Sequence, residues 1–124
     1  MVRAIAAGIA VLLVAHAAWF VSLRGEAFSQ FLAVLLWLSA GVAAFVSAWL
    51  APRRKFAVGV LIAFPAILLF VASNASYEAL GHAVDFSGPR GALLVAGIAL
   101  PLVLLLCAAG AALGWWSSRV QINA

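Results

Sequence analysis

Residues 31–51 read FLAVLLWLSAGVAAFVSAWLA, residues 52–55 read PRRK, and residues 56–73 read FAVGVLIAFPAILLFVAS. A bilayer's hydrocarbon core is about 30 Å thick and an α-helix rises about 1.5 Å per residue, so about 20 consecutive apolar residues are needed to cross it. Both apolar runs approach that length, and neither contains Asp, Glu, Lys or Arg. Four residues carrying three cations separate them. This pattern predicts two membrane helices joined by a tight basic turn.

Working outward, two more runs qualify: residues 4–23, interrupted only by His16 and Ser22, and residues 92–116. Neither holds a charged side chain. The connections Arg24–Gln30 and Pro52–Lys55 are short, which makes neighbouring spans antiparallel hairpins. The expectation is one transmembrane domain over residues 1–124. It is an all-α membrane protein, a four-helix antiparallel bundle that runs up-down-up-down, with one long outer loop at residues 74–91. Arg3 before an apolar run also suggests a signal peptide. A secretory apolar region is only about 7–15 residues long, and this run is longer. The bulky Trp19 and Phe20 follow at once the small pair Ala15 and Ala17, where cleavage would fall. The segment is expected to stay as a span.

Composition agrees. Hydrophobic residues are 69% of the chain and charged residues 8%, against about 45–50% and about 25% in soluble domains. So few charges cannot solvate a water-soluble globule of this size, which excludes a soluble enzyme or a nucleic-acid-binding domain. The formal charge of +4 and pI near 10.8 reflect placement. Arg3, Arg53, Arg54, Lys55 and Arg119 fall on one side of the four spans, without an acid. Arg24, Glu26, Glu78, Asp85 and Arg90 fall on the other. The positive-inside rule then puts both termini in the cytoplasm, with Arg53, Arg54 and Lys55 as the strongest topology signal, and the Ala-rich, loop-poor chain points to a bacterial inner membrane. Trp49, Trp115 and Trp116 mark the same boundary, as interfacial rings do.

Inside lipid no hydrophobic force draws helices together, so packing relies on small residues that allow close approach. Ala40, Ala44 and Ala48 recur every four residues in the second span. Gly110 and Gly114 form a GxxxG pair in the fourth. Both faces are expected to pack within the chain. The single cysteine, Cys107, excludes an intrachain disulfide and reads as a buried inert thiol.

His16, Ser39, Pro65 and Pro101 fall at similar depth, about 10–14 Å below the outer ends of their spans at the helical rise. Each proline frees the carbonyl four residues earlier, at Leu61 and Gly97. An ionisable residue inside a span is a functional candidate by default. This layer is therefore a candidate lining for a small polar cavity. The plainer reading, favoured because no carboxylate joins it, is a neutral His16 donating one structural hydrogen bond while the prolines kink their helices. In the outer loop, Asn74 or Ser76 is positioned to cap a helix over Tyr77–Val84. On such a helix Glu78, His82 and Asp85 share one face. With Tyr77 they offer metal-ligand and acid–base chemistry, though a solvated loop or partner-docking surface is the favoured reading, since polar residues are expected on a wet face.

No catalytic residue set, metal site or cofactor is assigned. The expected role is non-enzymatic: an accessory or assembly subunit, or an interaction partner, of a larger membrane system. Its partners would be the lipid bilayer and a membrane protein or further copies of the chain, and no nucleic acid. One alternative is a small transporter or channel acting as a homo-oligomer through the His16 layer. The other is an outer-surface enzyme or metal-binding protein using Glu78, His82 and Asp85.

Overall fold

A computed structural model describes residues 1–22, 30–79, 81 and 87–123. Among these residues every regular element is a helix: α1 Val2–Ser22, α2 Gln30–Leu50, α3 Lys55–Leu61, α4 Ala63–Ala79 and α5 Gly88–Asn123. α3 and α4 continue one another across a break at Ile62, so the elements form four rods. Three stretches are long and apolar enough to cross a membrane: Val2–Phe20, Lys55–Ser76 and Gly88–Val120. α2 is apolar as well over Val34–Leu50, where its side chains are described.

The break has a chemical cause. Pro65 has no N–H to give to the Leu61 carbonyl, and a helix kinks where that bond is lost. Just there the pitch tightens: the Ile62 N–H donates to the Gly59 carbonyl at 3.2 Å, three residues back. Pro101, by contrast, sits inside α5 without ending it.

Two boundaries differ from the sequence expectation. α4 does not stop at Ser73. It runs on through Ala79, so Asn74–Ala79 belong to a span helix and not to a loop. Ser76 is no helix cap; its hydroxyl donates back to the Ala72 carbonyl at 2.8 Å, one turn earlier. Gly81 then takes φ 90°, the left-handed region that ends helices and that glycine enters without steric cost. A single helix over Tyr77–Val84 is thereby overturned, because a residue at that φ cannot sit within a right-handed helix. On the far side α5 already begins at Gly88, so the connection between α4 and α5 is shorter than residues 74–91.

The interior is made of small side chains. Ala40, Ala43, Ala44, Ala48, Ala51, Ala63, Ala66 and Ala111 are all buried, with Leu12, Ile62 and Val103 as the larger fillers. Large aliphatic and aromatic residues such as Val14, Phe64, Leu68, Leu93 and Leu105 face outward. This is the inverse of a soluble core, and it follows from lipid being as apolar as leucine.

α2 and α5 make the closest approach. A Cβ built on Gly110 would collide with the Gly41 backbone, lying 2.9 Å from its carbonyl carbon. One on Gly114 would lie 2.5 Å from the Phe45 carbonyl oxygen and 3.0 Å from Ala48. Cys107 meets Ala40 one step further along, its thiol 3.7 Å from that carbonyl. Gly59 of α3 fits against Ala44 and Ala111, and Gly8 of α1 against Ala43 and Ile62. At one end Ala4, Ala51 and Val58 close a separate small cluster. Ser47 ties that end together by donating to the Ala4 carbonyl at 2.8 Å.

Gly114→Val is therefore expected to destabilise the fold by about 2 kcal/mol or more, since overpacking a close interface typically costs 1–3 kcal/mol. Gly97→Ala, where an added Cβ meets nothing within 4 Å, should change stability by less than about 1 kcal/mol. Unfolding in detergent micelles measures both. Equal effects would refute the α2–α5 contact.

Candidate functional site

Among the described residues, the one buried basic side chain inside the helices is His16. It projects from the fifth turn of α1 and is only 6% exposed. Its Nδ1 lies 2.8 Å from the Ser73 hydroxyl of α4. Phe70, one turn before Ser73, packs edge-on against the imidazole with ring centroids 5.3 Å apart. Trp37 of α2 stacks on the other side of this arrangement, 4.4 Å from Phe70. Three helices thus converge on one polar pair with an aromatic wall. Aromatic rings favour edge-to-face or offset-stacked arrangements, and both occur here.

The pair forms because the two residues are level. His16 stands six residues before the end of α1, and Ser73 six before the end of α4. The hydroxyl can either give its proton to Nδ1 or accept one from it, so the tautomer of His16 and the rotor of Ser73 are coupled. Nε2 of His16 is buried, and among the described residues it has no hydrogen-bond partner. An unpaired polar atom in such surroundings costs about 1–3 kcal/mol.

The other members of the predicted layer are not gathered here. Ser39 is buried but turns its hydroxyl onto the Leu36 carbonyl of its own helix, a common refuge for serine in membrane helices. Pro65 is half-buried at the α3–α4 break, while Pro101 is exposed on the outside of α5. Gly97, whose carbonyl Pro101 frees, is exposed as well. A cleft of about 180 Å³ lies close to this region, lined by Ala15, Ala18, Trp19, Leu35 and Leu36. None of the four layer residues lines it.

Of the outer-loop candidates, Glu78 is exposed near the end of α4. Tyr77 lies on the same helix. His82 and Asp85 lie outside the described residues, as does any geometry among the four. The packing residues Ala40, Ala44, Ala48, Gly110 and Gly114 are all buried, at the α2–α5 contact or beside it. Arg53 and Arg54 are exposed in the turn between α2 and α3. Lys55 is partly withdrawn: its ammonium donates to the carbonyls of Ala51 at 2.6 Å and Trp49 at 3.1 Å. It thereby caps the C-terminal carbonyls of α2, where a cation is favoured.

Ser73 is the residue that sequence reasoning missed. With the third span ended at Ser73 it stood at the water boundary, too shallow to meet His16. Comparison with known protein families, curated proteins and solved structures finds no match to this chain.

Ser73→Ala should leave His16 without its partner and destabilise the fold by about 1 kcal/mol, the usual size of an interhelical hydrogen bond in a membrane protein. His16→Leu combined with Ser73→Ala should recover much of that loss, because removing both polar partners is less costly than orphaning one. A double-mutant cycle reads the coupling directly, and strictly additive effects would break the pair.

Proposed function

We propose that this chain is a small, non-enzymatic, multi-pass protein of the bacterial inner membrane, serving as an accessory or assembly subunit of a larger membrane system. The observation that carries this reading is the direction in which its polar and apolar groups point. Ser39, Ser47 and Cys107 bond to the chain's own carbonyls, and His16 to its own Ser73. Gly8, Gly41, Gly59, Gly110 and Gly114 are consumed in internal contacts. What is offered outward from the helices is apolar: Leu93 is 74% exposed, with Leu94, Ile98 and Leu105 also on the surface of α5. A surface of that kind addresses lipid and other membrane helices.

The proposed topology is an antiparallel up-down-up-down bundle with both termini in the cytoplasm. Supporting it, Ala4, Ala51 and Val58 share one cluster, and Arg119 lies over Trp115, its guanidinium 4.7 Å from the ring centroid. These contacts draw Arg3, Arg53, Arg54, Lys55 and Arg119 toward one end, as the positive-inside rule asks of a cytoplasmic face. A periplasm-dependent phosphatase inserted after Ser87 should be active, and the same enzyme fused at the C-terminus silent. The reverse pattern would refute the orientation.

A second reading, a small homo-oligomeric transporter or channel, is favoured by the unpaired Nε2 of His16. Photo-crosslinkers placed at Leu93 and Leu105 in native membranes separate the two. An accessory subunit gives one discrete adduct with a second protein. A homo-oligomer gives an adduct of twice the chain's mass, with solute flux in proteoliposomes that His16→Ala abolishes. That second result would overturn the accessory role.

A further inference from the structure

Where α3 begins, an open groove of about 520 Å³ lies between the basic turn and the end of α5. Arg53, Arg54 and Lys55 line one part of it, and Phe56 and Trp115 the other. Arg119 stands over the same Trp115 ring. Among the described residues, the structure gives the side chains of Arg53 and Arg54 no ion pair or hydrogen bond, whereas Lys55 is already committed to the carbonyls that end α2. The described acid in the chain, Glu78, lies near the far end of the α3–α4 rod, about 35 Å away at the helical rise.

Arg54 carries a further mark. It is the one non-glycine residue with positive φ among the described residues, at φ 50°. Glycine or asparagine would hold that left-handed turn with less strain. Orientation in the membrane needs only positive charge near the boundary, and does not ask for an arginine in a conformation that resists it.

We propose that this groove binds the headgroup of an anionic phospholipid, with Arg53 and Arg54 on the phosphate and Phe56 and Trp115 against the glycerol and first acyl carbons. Guanidinium presents a planar fork that matches phosphate oxygens with two parallel hydrogen bonds. Basic recesses between membrane helices on the cytoplasmic side are recurrent sites for such headgroups. The juxtaposition of cations with an apolar, aromatic wall suits an amphiphile better than a free anion. The inference rests on the membrane-spanning reading above and is independent of the accessory role.

The test uses the full chain in a neutral detergent, with native mass spectrometry reading bound lipid. Short-chain phosphatidylglycerol is expected to bind at least tenfold more tightly than phosphatidylcholine of the same chain length. Arg53→Gln with Arg54→Gln should erase that preference. Arg53→Lys with Arg54→Lys, which keeps the charge, should lose part of it. Arg90→Gln at the start of α5, an exposed cation remote from the turn, should leave it intact. Circular dichroism and elution volume confirm that each variant is folded. Equal binding of the two lipids, or an unchanged preference in the double glutamine variant, overturns the proposal. Displacement of the lipid by inorganic phosphate at comparable concentration overturns it too, by making the site one for a free anion. Because the measurement is made in micelles, none of these outcomes bears on membrane orientation, and reversed orientation in cells would not alter them.

Discussion

The rest of the structure depends on how closely α2 and α5 can approach. In lipid, burying leucine against leucine gains little over leaving it in the acyl chains, so only van der Waals contact at short range and hydrogen bonds can hold helices together. Gly41 and Gly110 supply that range by having no side chain between their backbones, and Gly114 does the same against Phe45 and Ala48. Once these two rods are seated, α3 enters through Gly59, which fits against both Ala44 of α2 and Ala111 of α5. α1 then closes on α2 and Ile62 through Gly8. Each of the four rods joins at a glycine facing an alanine or a bare carbonyl.

Polar groups obey the same economy of space. A hydroxyl or thiol that faces lipid has no water to bond, so each must find a carbonyl within the protein. Ser39 finds one on its own helix, Ser47 finds Ala4 on α1, and Cys107 finds Ala40 on α2. The last two therefore act as cross-links between helices as well as being satisfied themselves. His16 is the exception. One nitrogen is engaged by Ser73 and the other is buried without a partner among the described residues. It is the point in the bundle where polarity exceeds what the packing absorbs.

The basic end carries two layers of chemistry that sequence alone merges. Arg53, Arg54 and Lys55 read as one charge cluster, a topology signal. In three dimensions they divide: Lys55 caps α2, while the two arginines face an aromatic-walled groove. Charge counting is enough to orient a chain, since the membrane responds to the sum. Which cation is spent on a carbonyl and which is left for a ligand depends on the turn's backbone, including the left-handed Arg54.

Composition and run length by themselves determined that the chain is helical and that its apolar stretches are long enough to cross a bilayer. Those properties are sums over local segments, and no distant contact alters them. The small-residue repeats Ala40-Ala44-Ala48 and Gly110-x-x-x-Gly114 were likewise visible as patterns, and their burial is a fact of the folded chain. Tertiary structure decided what each span residue faces. Depth along a helix can be counted at about 1.5 Å per residue, which set His16, Ser39, Pro65 and Pro101 in one layer. Rotation about the helix axis cannot be counted, because it is set by packing against neighbours. Rotation turned Pro101 outward and Ser39 onto its own backbone. The same packing carried α4 past Ser73 to Ala79, which lowered Ser73 to the level of His16 and made the pair that the sequence did not reveal.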